Sequence, residues 1–172
     1  MHTPLDKSLN AFARADLLQG STPIQRAERL ERLLGLDTQG IGLFLKRDDH
    51  MSLGGGGNKL RKLEFHLGAA QQAGVDTIIT VGGVQSNHAR LTAAACARLG
   101  MACELILTRS VPKTDVDYEL NGNVLLDQLF GAELQVLNAG ADALALAETR
   151  AAQLRDAGRQ VRVIPMGGST PL

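Results

Sequence analysis

Thr77-Ile78-Ile79-Thr80-Val81-Gly82-Gly83-Val84-Gln85-Ser86-Asn87-His88 is the stretch that decides the fold. Thr77–Val81 is β-branched and near-continuously apolar, the pattern of a strand covered on both faces. Gly82-Gly83 ends that strand, and a helical pattern runs from about Asn87 to Leu99. Outward toward the C-terminus, Ala102–Thr108 reads as the next strand, followed by a polar loop and a helix over Asn123–Phe130. Glu133–Leu137 is then a strand and Ala141–Ala157 a helix with Leu144, Ala147, Ala151 and Leu154 on one face. Val161–Ile164 is the last strand. In the other direction, Leu60, Leu63, Leu67 and Ala70 recur at helical spacing, with Asn58 as the expected N-cap and Gly74 as the stop. Ile41–Lys46 reads as a strand and Ala27–Gly35 as a short helix. Strands alternating with helices predict an α/β fold: an open, mostly parallel twisted sheet with helices on both faces and right-handed crossovers.

Bulk properties narrow the function. The 172 residues suffice for one ordinary domain, or a small domain and part of another. Lys+Arg 18 balances Asp+Glu 18, and aromatic residues are only 3% with no tryptophan, so neither a phosphate-backbone surface nor base-stacking platforms are expected. Nucleic acid is not the predicted partner. No apolar run approaches the roughly 20 residues that cross a bilayer, and Met1–Lys7 lacks the layout of a secretory leader. No membrane partner is expected either. Cys96 and Cys103 have no metal-ligand partner at useful spacing, so they read as small buried hydrophobes, no metal site is predicted, and a reducing cytoplasmic setting is expected.

Two segments could carry chemistry. Gly54-Gly55-Gly56-Gly57 leads through Asn58 into Lys59 at a helix start. A flexible surface loop ending in a solvated lysine is one reading. A Walker phosphate loop is excluded, because Leu60 stands where that motif needs Ser or Thr. The other reading uses the helix macrodipole: its positive end disfavours an ammonium ion, and a lysine that forms a Schiff base must reach the neutral amine. Lys62, three residues on, competes for that role on these grounds. The second segment, Gln85-Ser86-Asn87-His88, stands at a strand-to-helix turn. Ser86 or Asn87 could simply cap the helix. The free amides of a helix start also form an anion site, and ligands of open α/β sheets bind at the carboxyl ends of strands. A dinucleotide-binding domain is a poor alternative, since Gly82-Gly83-Val84-Gln85 is not its fingerprint.

Five blocks in order carry a resemblance: Lys46-Arg47-Asp48-Asp49; Gly56-Gly57-Asn58-Lys59-Leu60-Arg61-Lys62-Leu63-Glu64; Gln85-Ser86-Asn87-His88; Asn121-Gly122-Asn123; and Ile164-Pro165-Met166-Gly167-Gly168-Ser169. Together they resemble the D-cysteine desulfhydrase, 1-aminocyclopropane-1-carboxylate deaminase and L-cysteate sulfo-lyase family, among the tryptophan-synthase-like (fold type II) pyridoxal-phosphate enzymes. The resemblance covers nearly the whole chain. It implies pyridoxal 5'-phosphate as cofactor, a small amino acid as substrate and a homodimer. It implies Lys59 as the Schiff-base lysine with Asn58 beside it, and Asn87 as the hydrogen-bond partner of the cofactor's 3-hydroxyl. Ser86 would stand near the substrate carboxylate and reacting carbons, with Gln85, Asn87 and His88 completing the substrate loop.

The same resemblance implies two domains. Residues 49–165 would form the small α/β domain, residues 1–48 would belong to the large domain, and 166–172 would begin the crossover back to it. A Gly/Ser loop at the chain's end makes the sequence read as a fragment, with the family's phosphate-cradling loop and pyridine-nitrogen partner expected in a later half. D-cysteine desulfhydration leads the expected activities, followed by the sulfo-lyase and deaminase reactions. A fold-keeping fragment without turnover is the reading from a different class.

Overall fold

The computed structural model describes residues 8–170; the Met1–Lys7 start and the last two residues of the 166–172 segment lie outside the described residues. A short ribbon comes first: β1 (Ile24–Arg26) pairs antiparallel with β2 (Phe44–Lys46), and α1 (Glu28–Leu33) lies between them in sequence. The main body follows as α2 (Leu60–Gln72), β3 (Thr77–Gly83), α3 (Asn87–Leu99), β4 (Ala102–Thr108), α4 (Val116–Leu120), α5 (Asn123–Leu129), β5 (Glu133–Leu137), α6 (Ala143–Asp156) and β6 (Val161–Ile164). Its four strands are all parallel, in the order β5-β4-β3-β6. The α/β class and the parallel sheet are as the sequence predicts.

Each central strand feeds two cores. Ile78 joins Leu105, Leu107 and Ile164 under α2 and α3, while Ile79, Val81 and Ile106 face α6. Alternate residues thus serve opposite faces, which is why the strands had to be apolar nearly throughout. On α2 the predicted stripe Leu60, Leu63, Leu67 and Ala70 has no exposed surface, and burial of each leucine contributes roughly 1.5–3 kcal/mol. On α6 three of the four predicted residues, Ala147, Ala151 and Leu154, pack on the core with Ala143 beside them; Leu144 is exposed instead. Three alanines let that helix approach the sheet closely, a preference that hydrophobicity alone would assign to the leucines.

Two further differences lie at helix starts and in the polar loop. Asn58 does not cap α2: Lys59 occupies the capping position with helical backbone angles and no side-chain cap. The polar stretch after β4 contains α4, whose Asp115 accepts a hydrogen bond from the Tyr118 amide at 2.9 Å. Residues 13–18 pack against the main body: Ala15 and Leu17 are buried in the α2 core, and the Ala15 amide donates to the Glu64 carbonyl at 2.8 Å.

Strand order places the site. From β3 the chain moves through β4 to β5, then α6 returns it on the opposite face to β6 at the other side of β3. Right-handed crossovers require that change of face when the direction of travel reverses. The reversal opens a crevice between β3 and β6 at the carboxyl ends of the strands, where open sheets take their ligands.

Candidate active site

A cavity of about 500 Å³ occupies that crevice. It gathers Gly57, Asn58 and Lys59 from the start of α2, Gln85–His88 from the turn after β3, and Tyr118 and Gly167 from later loops. All six residues singled out from the sequence therefore line one space, although they come from segments about 26 positions apart. Lys62 does not share it. Its Nζ donates to the Ser169 Oγ at 2.6 Å and the Gly167 carbonyl at 3.2 Å, and it lines a larger cavity of about 820 Å³ with Phe12, Phe65 and His66. That larger space collects none of the residues of the turn after β3.

The glycine run before Lys59 is held by a buried cation. Arg90, on α3, donates from Nη1 to the Gly54 carbonyl and from Nη2 to the Gly56 carbonyl, the latter at 2.9 Å. The Gly57 amide donates to the Asp48 carbonyl at 2.9 Å. Asp48 is itself locked by Arg61, whose guanidinium holds that carboxyl down to about 2. A loop that composition presents as flexible is thus fixed at three backbone groups. Lys59, half-buried, donates from Nζ to the Asn58 Oδ1 at 3.1 Å.

Ser86 caps α3: its Oγ accepts from the Ala89 amide at 3.2 Å, and its carbonyl takes the Arg90 amide. The Ser86 hydroxyl proton stays available, and among the described residues the amides of Asn87 and His88 have no acceptor, as at any helix start. Gly82 makes the arrangement possible, because a Cβ there would sit 2.7 Å from the Ser86 Oγ.

His88 is buried and neutral. Thr80 gives its single hydroxyl proton to the Ile164 carbonyl at 2.8 Å, so the 2.9 Å contact between Thr80 Oγ1 and His88 Nε2 must be donated by the imidazole. Nδ1 then carries a lone pair, and it has no partner among the described residues. Burial, followed by the nearby His66, Lys59 and Lys62 charges, pushes the His88 pKa down to about 4. Gln85 lines the cavity, but its amide is committed elsewhere: Nε2 donates to the carbonyls of Tyr118 (2.6 Å) and Asn121 (2.9 Å), and Oε1 accepts from the Asn123 amide at 2.9 Å.

Sequence reasoning gave no role to Arg90, Thr80, Tyr118 or Asn123. The Gly122-Asn123 pair stood in a recognised block and was the one available sign that this loop reaches the site. An amine beside an open helix start, at the reversal point of a parallel sheet, is the furnishing of an α/β enzyme that works on a bound small molecule. A profile of the family described as "Pyridoxal-phosphate dependent enzyme" matches residues 15–171, and the chain belongs to that family, whose cofactor is pyridoxal phosphate.

Among its relatives, a Pyrococcus abyssi protein provisionally named a 1-aminocyclopropane-1-carboxylate deaminase is 42% identical over 174 residues, covering 100% of this chain and 49% of that one. The D-cysteine desulfhydrase of Salmonella paratyphi B is 40% identical over 164 residues, covering 95% of this chain and 48% of its own. The crystal structure of an ACC deaminase homologue superposes with a TM-score of 0.85 at 40% identity, over 99% of this chain and 50% of that chain. The chain spans about half the length of the curated relatives it matches.

Proposed function

We propose that this chain supplies the lysine-bearing part of a pyridoxal-phosphate-dependent lyase or deaminase that removes the β substituent of a small amino acid, with D-cysteine as the leading substrate. The observation that carries the reading is the convergence of Lys59 with Ser86, Asn87 and His88 on one cavity at the strand-order reversal. The relatives named for D-cysteine and for 1-aminocyclopropane-1-carboxylate chemistry support it at the level of reaction class.

The lining residues suit the cofactor's reactive end. Lys59 is the only Lys or Arg among them, so it offers the amine but no second cation for a phosphate. The remaining phosphate and ring-nitrogen contacts are expected from other parts of the full-length protein. When bound, the cofactor supplies an electron sink for a carbanion at the substrate α carbon. Lys59 would hold the cofactor through Nζ, and as a free amine that Nζ would be the base for the α proton. Asn58 steadies Nζ between those tasks. Ser86, with the open amides of Asn87 and His88, holds the substrate carboxylate at the α3 start. Asn87 would offer its side-chain amide to the ring oxygen, and Gln85 braces the wall. His88 stays neutral and shapes the wall without adding charge. For D-cysteine and water the balanced products are pyruvate, hydrogen sulfide and ammonia.

Of residues 1–48, which the family resemblance assigns to a larger domain, the ribbon fits that assignment: every residue of β1 and β2 is exposed, including Ile24 and Phe44, as are Leu33 and Leu34 of the intervening segment, whereas Ala15 and Leu17 are buried against α2. We place 49–165 in the small domain, and the full-length protein as a cytoplasmic homodimer, on the strength of the family resemblance. No helix of the described residues is long and apolar enough to cross a membrane.

The test offers D-cysteine, L-cysteate and 1-aminocyclopropane-1-carboxylate in parallel to protein supplied with pyridoxal phosphate. Sulfide, sulfite or oxobutyrate is the respective readout. Sulfide from D-cysteine, lowered at least tenfold by Ser86→Ala, is the expected result. Sulfite or oxobutyrate alone moves the substrate to the second reading. Cofactor capture without any product supports a fold-keeping segment instead.

A further inference from the structure

We infer that Asn123 is a positioning residue that fixes the orientation of the Asn87 side-chain amide, turning its NH2 group to the cavity and its oxygen away. The inference rests on the reading of Asn87 as the partner of the cofactor's ring oxygen, and it adds the device that selects which end of Asn87 is presented.

The chain of assignment starts from an unambiguous atom. Asn123 Nδ2 lies 2.9 Å from the Gln85 backbone carbonyl, which can only accept. The nitrogen of the Asn123 amide must therefore be the end that faces Gln85. Its second proton reaches Asn87 at 3.0 Å, and only an oxygen can receive it, which makes that atom Oδ1. The Asn87 NH2 is left on the opposite side of its amide, and Asn87 lines the cavity. Inverting Asn87 would set NH2 against NH2 and forfeit a hydrogen bond.

Asn123 is itself held from behind. Its backbone amide donates to Gln85 Oε1 at 2.9 Å, while Gln85 Nε2 is tied to the Tyr118 and Asn121 carbonyls. Gly122, at φ 61°, allows this approach: a Cβ there would lie 2.8 Å from Gln85 Oε1. The side chain of Gln85, which the sequence marked for substrate, thus serves as the brace that points Asn123 at Asn87. The consequence is chemical. A cavity wall that presents a fixed donor favours a deprotonated ring oxygen, whereas a wall that presents a carbonyl favours a protonated one.

Isosteric replacement separates orientation from simple support. Asn123→Asp keeps the shape but replaces the donor by an acceptor, so Asn87 must invert to donate to it and turns Oδ1 into the cavity. Asn123→Ala removes the anchor and leaves Asn87 free to take either orientation. Orientation control predicts that Asn123→Asp weakens pyridoxal-phosphate binding on the order of tenfold, by exchanging a donor for a repelling oxygen. It also predicts a shift of the bound cofactor's absorption from the near-visible to the near-ultraviolet, with Asn123→Ala falling between this variant and wild type. Because an aspartate oxygen also faces the Gln85 carbonyl, a purely structural role predicts weakened binding in Asn123→Asp with an unshifted absorption band, and that result would overturn the inference.

A second readout needs no cofactor. In the free chain, exchange of side-chain amide protons followed by NMR should be slow at Asn123 and fast at Asn87. Slow exchange at Asn87 with fast exchange at Asn123 would refute the assignment. If no Lys59-dependent cofactor band forms in wild type, the proposed function fails, and the exchange measurement still decides the orientation.

Discussion

At the scale of single residues, the site depends on groups whose roles exist only in three dimensions. Lys59 and Ser86-Asn87-His88 stood out as candidates because each lies at a helix start, where polar chemistry is defined, but it was the family resemblance that chose Lys59 over Lys62. Asn58 misled: Asn before a helical run is a good cap by type, yet here the backbone turns helical at Lys59 and the Asn58 oxygen takes Nζ instead. Thr80 was unreadable as anything but a strand residue, since its link to His88 depends on β6 arriving alongside β3. Gly82 gives a sharp test at this scale. In Gly82→Ala the new methyl must displace the Ser86 hydroxyl, which both opens the α3 cap and spoils the site. Loss of an N-cap costs roughly 0.5–2 kcal/mol. Thermal unfolding should therefore show Gly82→Ala at least as destabilised as Ser86→Ala, and an unchanged melting temperature would contradict the packing described.

At the scale of elements, periodicity found every long helix and every strand of the parallel sheet. It missed β1 because a three-residue strand has too few positions to show a period, and its partner β2 begins 18 residues after it ends. It missed α4 for the same reason of length, although Asp115 is the kind of residue that caps. The packing of α3 against α5 hides a further feature. Asp127 of α5 is buried with neither carboxyl oxygen hydrogen-bonded within the described residues, and burial, partly offset by Arg90, raises its pKa to about 7 from an ordinary 3.8. The folded state therefore holds this proton more tightly than the unfolded chain, and stability falls as pH rises from about 4 to about 7.

His88 on α3 works in the opposite sense. Its folded value of about 4 lies below the ordinary 6.5, so its contribution is present above pH 6.5 and is lost as pH falls toward 4. The two slopes oppose one another across the shared window. Asp127→Asn should uncover the His88 slope: its stability, read by denaturant unfolding, should rise with pH between 4 and 6.5 more steeply than wild type. The variant should also gain on wild type above pH 7. Parallel curves for the two proteins would show that Asp127 is not buried in the way described.

At the scale of the whole molecule, strand order places the site. Four parallel strands in the order β5-β4-β3-β6 create one reversal, and the residues singled out by type and by resemblance meet there. The sequence made the sheet visible through continuous apolar strands. It could not show that Lys62 would face a second cavity while Lys59 faced the first, because that choice depends on where the 166–170 loop crosses α2. The central claim is that Lys59 is the amine that takes the cofactor. The most direct measurement incubates the chain with pyridoxal phosphate, reduces it with borohydride and maps the modified peptide by mass spectrometry, beside Lys59→Ala. The account predicts a near-visible absorption band fixed by reduction, a pyridoxyl group on Lys59, and loss of both in the variant. Labelling of Lys62 instead, or equal labelling in Lys59→Ala, would contradict it.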